Sequence, residues 1–100
     1  MSSSRVDIQV ANATGVCVTD DHLVVDLDDG RSISLPLSWY PRLYHGTPPE
    51  RASYRLIGGG EGVHWPDLDE DLRVEDLLAG RRSQESQASL ENWLSARSRS

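Results

Sequence analysis

The chain has 100 residues, 37% of them hydrophobic, and carries a formal net charge of −6. That length makes one domain with a modest core, leaving little room for a core plus a roomy cofactor cavity. No apolar run approaches the ~20 residues of a transmembrane helix, and no apolar signal core opens the sequence. The single cysteine, Cys17, excludes an intrachain disulfide and fits a reducing compartment. A cytoplasmic protein is the expectation.

The charge is localised. Glu61 to Asp76 holds seven acids (Glu61, Asp67, Asp69, Glu70, Asp71, Glu75, Asp76) against one Arg, and the remainder is neutral, with nine acids and nine Arg. Such a face repels phosphate backbones, which argues against nucleic-acid binding by the isolated chain. It attracts a basic protein.

In chain order, Val6, Ile8 and Val10 alternate with polar residues at the period of a half-buried strand. Val16 to Thr19 reads as a strand and Asp20-Asp21 as a turn. Leu23, Val25 and Leu27 mark one face of the next strand. Asp29-Gly30 is a two-residue hairpin signal, since both residues tolerate positive φ. Ile33, Leu35 and Leu37 line the returning strand, which Pro36 ends or confines to an edge.

Ser38 is positioned to cap a short helix with Pro41 in its first turn. Trp39/Leu43 and Tyr40/Tyr44 are i,i+4 pairs, and Gly46 can end the helix. Thr47-Pro48-Pro49-Glu50 is a capping box opening a second short helix. Tyr54 to Ile57 reads as a strand, Gly58 to Gly62 as a turn and Val63 to Trp65 as another strand. Val74, Leu77 and Leu78 give a short helix closed by Gly80. After a polar linker, Ser83 can cap a last helix, with Glu85 in its first turn. Leu90, Trp93 and Leu94 form a narrow apolar stripe suited to docking, in cis or on another chain. The expected organisation is an N-terminal segment 1–15, partly a strand, a compact domain 16–80, and a linker with C-terminal helix 81–100. The expected fold class is α+β: a small antiparallel meander packed with short helices, plus a C-terminal helix.

Asp67, Asp69 and Asp71 have the D-x-D-x-D spacing that opens a calcium loop, but Leu72 and Leu78 stand where that loop needs Gly and Glu. The aspartates read instead as caps on the following helix, solvating its N-terminus. His22, His45, His64 and Cys17 lack zinc-ligand spacing. His64, pointing opposite to Val63 and Trp65, reads as a structural residue hydrogen-bonded beside the Trp. The run "GGGEG" lacks the Lys and Ser/Thr of a phosphate loop and reads as a turn. No nucleophile elbow or zinc-protease helix occurs, so neither catalytic residues nor a cofactor or metal site is expected. Trp39, Tyr40, Tyr44, Tyr54 and Trp65 can fill the core or serve an interface, since each has an apolar body and a polar handle.

The stretches "LVVDLDDGRSISLPLSWYPRL" and "TPPERASYRLIGGGEGVHWPDLDEDLRVEDLLAGR" resemble the bacterial family known as domain of unknown function 2442. Its hallmarks are represented by Asp29, Gly30, Arg31, Pro36, Leu37, Trp39, Pro41, Arg42, Leu43, Gly60, Gly62, His64, Trp65, Pro66, Leu68 to Leu72, Leu77, Leu78 and Gly80. The likeness covers about residues 16 to 97. It implies an α+β fold without assigned catalytic residues, and for some members an antitoxin role beside small toxin-like proteins. Arg73 departs from the pattern where many relatives carry a small hydroxyl cap, leaving Asp71 as the preferred cap. Other members carry a helix-turn-helix; residues 80 to 100 accommodate only one helix.

Two functions follow as expectations. One is an antitoxin-like interaction domain that binds a basic partner through Asp67, Asp69, Glu70, Glu75, Asp76, Leu90, Trp93 and Leu94. The other is a small-molecule or metal site at His64, Trp65, Asp67 and Asp69, with a weak hydrolase as one form of it. Homodimerisation through exposed aromatics and DNA association in complex with a partner are further alternatives.

Overall fold

A computed structural model describes residues 11–98; the expected strand at Val6 to Val10 lies outside them. The first three strands, β1 (Ala13–Val18), β2 (His22–Leu27) and β3 (Ser32–Pro36), form an antiparallel meander in the order β1-β2-β3. Alternation decides its faces: Leu23, Val25 and Leu27 of the central strand are all buried, while Asp26 between them is exposed. The hairpin forms at the expected place but turns through three residues, Asp28 to Gly30, instead of two: the Leu27 N–H donates to Arg31 O, and of Asp29 and Gly30 only Gly30 takes a positive φ, +93°. β1 begins at Ala13, earlier than its apolar pattern announces. Ala13 pairs with Leu27, is itself buried, and its N–H donates to Gly60 O at 2.7 Å. A distant turn, not local hydrophobicity, extends this strand.

Pro36 ends β3, and Leu37 enters a 3₁₀ turn, Leu37–Trp39, instead of continuing the strand; it stays buried. Ser38 is therefore inside that turn and caps nothing. The short helix α1 (Pro41–Tyr44) starts at its proline, with Tyr40 as N-cap and no side-chain cap. Tyr40 and Leu43 turn into the core, whereas Tyr44 remains exposed. Helix α2 (Pro48–Ala52) has the expected capping box: Glu50 N–H donates to Thr47 Oγ1 and Thr47 N–H to Glu50 Oε1.

A second meander, β4 (Arg55–Ile57), β5 (Gly62–Trp65) and β6 (Glu70–Arg73), runs in the order β4-β5-β6. At the β4–β5 turn Gly60 has φ +106°, and a Cβ there would lie 2.4 Å from the Ala13 carbonyl oxygen, so a side chain is excluded twice over. Strand β6 corrects the reading of the aspartates as helix caps. Residues 66–69 turn the chain back, with Asp69 at φ +50°, and Asp71 lies opposite His64 in the ladder. Helix α3 (Val74–Leu78) has Arg73 at its N-cap and no side-chain cap; Glu75 and Asp76 in its first turn supply the favourable negative charge. Gly80, at φ +73°, follows the helix, its N–H donating to Leu77 O.

One core joins the two sheets and the helices. Leu23, Val25, Leu27 and Leu35 come from the first sheet, Val63 and Trp65 from the second, and Tyr40, Leu43, Leu68, Val74 and Leu77 from helices and turns. Helix α4 (Gln87–Ser98) begins after Ser86, whose Oγ accepts from Ser89 N–H. Ser83 does not cap it. Its N–H donates to Trp39 O, and its hydroxyl accepts from Glu85 N–H, holding the linker on the domain.

Candidate functional site

The β5–β6 hairpin separates the residues expected to share a pocket. Val63 and Trp65 point inward and are fully buried, and Trp65 Nε1 donates to Arg51 O at 3.0 Å. His64 points the other way, its Nδ1 2.5 Å from Asp71 Oδ1. Asp67 is exposed in the turn, and Asp69 extends into solvent with its side chain 86% exposed. Trp65 therefore faces the core while His64, Asp67 and Asp69 face outward. Among the described residues, no group of three or more His, Cys, Asp or Glu could hold a metal ion.

The acidic residues do share a region, along the hairpin and the first turn of α3. Several have cationic neighbours: Asp69 lies 3.6 Å from Arg42, Glu75 3.0 Å from Arg73, and Asp76 3.2 Å from Arg81. These are solvent-facing contacts, each worth under about 1 kcal/mol. Asp67 and Glu61 are exposed with no ion pair among the described residues.

Beside this face, a cleft of about 670 Å³ opens between β6, α3 and residues 81–85. Tyr40, Arg42, Glu70, Asp76, Arg81 and Glu85 contribute to its lining. Arg42 grips Glu85 through Nε at 2.9 and 3.0 Å and Nη2 at 2.6 Å, with the two side chains only 15% and 11% exposed. This fork raises the Arg42 pKa and lowers that of Glu85. The Arg42 Nη1 also donates to Asp69 O at 3.1 Å, tying α1 to the β5–β6 turn. Burial, reinforced by Glu70 and Asp76, pushes the Tyr40 hydroxyl up to about 12; it donates to Arg81 O. Burial likewise raises Glu70 to about 7, against the pull of Arg42 and with the help of the Glu85 charge.

The apolar stripe of α4 meets its own domain. Leu90, Trp93 and Leu94 are half-buried, and Trp93 packs on the core cluster. The guanidinium groups of Arg42, at 5.0 Å, and Arg97, at 4.7 Å, both lie over its ring. Arg97 in turn binds Glu50 at 2.8 and 3.1 Å, which lowers the Glu50 pKa to about 2.

Of the residues expected to bind a partner, Asp67, Asp69, Glu70, Glu75 and Asp76 thus gather around the hairpin and α3, while the α4 residues lie against the domain. Tyr40, Arg42 and Glu85 complete the cleft. Arg42 and Glu85 are 43 positions apart, so no local pattern relates them. For two cleft residues the sequence does hold a signal, their setting: Arg42 stands in the "PRL" stretch and Glu70 in "LDEDL", while nothing local marks Glu85.

The fold and its cleft define a small α+β domain of two three-stranded meanders closed by short helices and a docked C-terminal helix. The chain belongs to the family described as Protein of unknown function (DUF2442), whose model matches residues 13–83. Among curated proteins, none matches significantly. The fold is similar to a crystal structure of a protein of unknown function from Rhodospirillum rubrum, with TM-score 0.65 and 24% identity, covering 82% of this chain and 99% of that one. It is similar also to the solution structure of an uncharacterized protein from Chromobacterium violaceum, with TM-score 0.63 and 24% identity, covering 73% and 69%. At these identities the likeness is one of fold. No helix among the described residues is long and apolar enough to cross a membrane.

Proposed function

We propose that the chain is a cytoplasmic, antitoxin-like interaction domain that acts by binding a basic partner protein and performs no catalysis of its own. The observation that supports this reading is the display of Asp67, Asp69 and Glu75 at the surface of one hairpin and the adjoining helix turn. Their field is complementary to a basic surface, steers encounter with it, and opposes nucleic acid. The exposed flank of α4, beside Leu90 and Leu94, extends the available surface. The separation of Trp65 from His64, Asp67 and Asp69 weighs against a ligand pocket built from those four residues. Co-expression with the product of the adjacent gene, followed by affinity purification, tests the reading. A stable complex and rescue from a toxic neighbour are expected; neither complex nor rescue would overturn it.

A further inference from the structure

We infer that the Glu70 cleft seats a cationic side chain of the partner, a guanidinium or an ammonium, against the Glu70 carboxyl. This rests on the proposed binding of a basic protein and assigns it a specific subsite.

Glu70 lines the cleft and is only partly exposed. Among the described residues no side chain donates a hydrogen bond to it; the Asp71 backbone and the nearby Arg42 charge are what favour its ionised form. The arginines around the cleft are engaged elsewhere. Arg42 is spent on Glu85 and on the Leu68 and Asp69 carbonyls, and Arg81 on Asp76. Arg73 binds Glu75, and Arg82 stacks on the Trp39 ring at 4.6 Å. A carboxyl with reduced hydration and no side-chain donor is an acceptor awaiting one. A Lys or Arg arriving from outside supplies the donor, and the partly exposed Leu72 in the cleft wall suits its aliphatic stem. The groups facing Glu70 are Arg42 of α1, Glu85 of the linker and Asp71 of its own strand, with Tyr40 beyond them. Of the carboxyl groups lining the cleft, Asp69 and Glu85 meet Arg42, Asp76 meets Arg81 and Asp71 meets His64, so among the described residues Glu70 is the one left without a side-chain partner. Because burial holds Glu70 near 7, a seated cation also draws its proton off.

The test uses the full chain with acetylated hexa-arginine and hexa-lysine peptides as probes. Glu70→Gln is compared with an Asp67→Asn/Glu75→Gln variant, which alters the acidic face outside the cleft lining. Expected is saturable binding of at least one peptide, weakened about tenfold by Glu70→Gln, the loss of one charge-assisted hydrogen bond. At pH 6 the Glu70 carboxyl carbon should move toward its ionised chemical shift as peptide is added. Binding that is weakened by Asp67→Asn/Glu75→Gln but not by Glu70→Gln overturns the cleft and leaves the acidic-face reading standing. Absence of binding to any form overturns both.

Discussion

Arg42 and Glu85 form a bidentate ion pair that is largely shielded from water, with the closest approach at 2.6 Å. Through it the linker before α4 is fastened to α1, and the same guanidinium supports the Trp93 ring of α4. Removing one partner strands the other in a desolvated site. Arg42→Gln is therefore expected to cost about 3 kcal/mol in urea unfolding. A double-mutant cycle with Glu85→Gln should give a coupling energy above about 1 kcal/mol. Additive effects would show that the pair is not coupled.

Glu70 and Glu50 should impose opposite pH dependences. Glu70 is raised from 4.5 to about 7, so the folded state binds its proton more tightly than the unfolded state. Its contribution is full below pH 4.5, is lost as pH rises toward 7, and levels off above. Glu50 is lowered from 4.5 to about 2, so its contribution is present above pH 4.5 and is lost as pH falls toward 2. Glu70→Gln should raise stability at pH 8 and flatten the curve between pH 5 and 7. Denaturant unfolding at a series of pH values reads this directly; an unchanged slope in that window would remove Glu70 as its source.

Gly60→Ala should be severe. A methyl there would meet the Ala13 carbonyl at 2.4 Å, backbone against backbone, in a conformation that L-residues avoid. A loss of at least about 2 kcal/mol is expected, seen as a fall in Tm of roughly 8 °C or more. An unchanged Tm would mean that the β1 start and the glycine turn can separate freely.

These cases also show what was legible in the residues alone. The first meander was legible because Leu23, Val25 and Leu27 alternate and Asp29-Gly30 punctuates them. The Thr47 capping box was legible because its chemistry is local. Strand β6 was not. It has four residues, and its carboxylates resemble helix caps until the turn at Pro66 to Asp69 brings Asp71 opposite His64. The start of α4 was ambiguous for a different reason. Ser83 and Ser86 are both competent caps, and what removes Ser83 is its N–H bond to Trp39 O, a contact 44 positions back in the chain. The cleft was invisible as a unit, since Tyr40, Arg42, Glu70 and Glu85 converge only after both meanders have folded.

Trp93→Ala should release α4 without unfolding the domain. The helix has no fully buried residue, and its hold depends on the contacts of the Trp93 ring with the Arg42 and Arg97 guanidinium groups and on Arg97 with Glu50. Amide exchange is expected to accelerate across residues 87–98 while β2 and β5 remain protected. Uniform acceleration in every element would show instead that α4 is part of one cooperative unit.

The most direct measurement is the association rate of the chain with the product of its adjacent gene, taken at low and high salt. Binding steered by Asp67, Asp69 and Glu75 should slow by about tenfold or more as ionic strength rises from ~0.05 to ~0.5 M. Asp67→Asn/Asp69→Asn/Glu75→Gln should slow association at low salt and lose most of that salt dependence. No association, or association indifferent to both salt and the triple substitution, would contradict an acidic docking face.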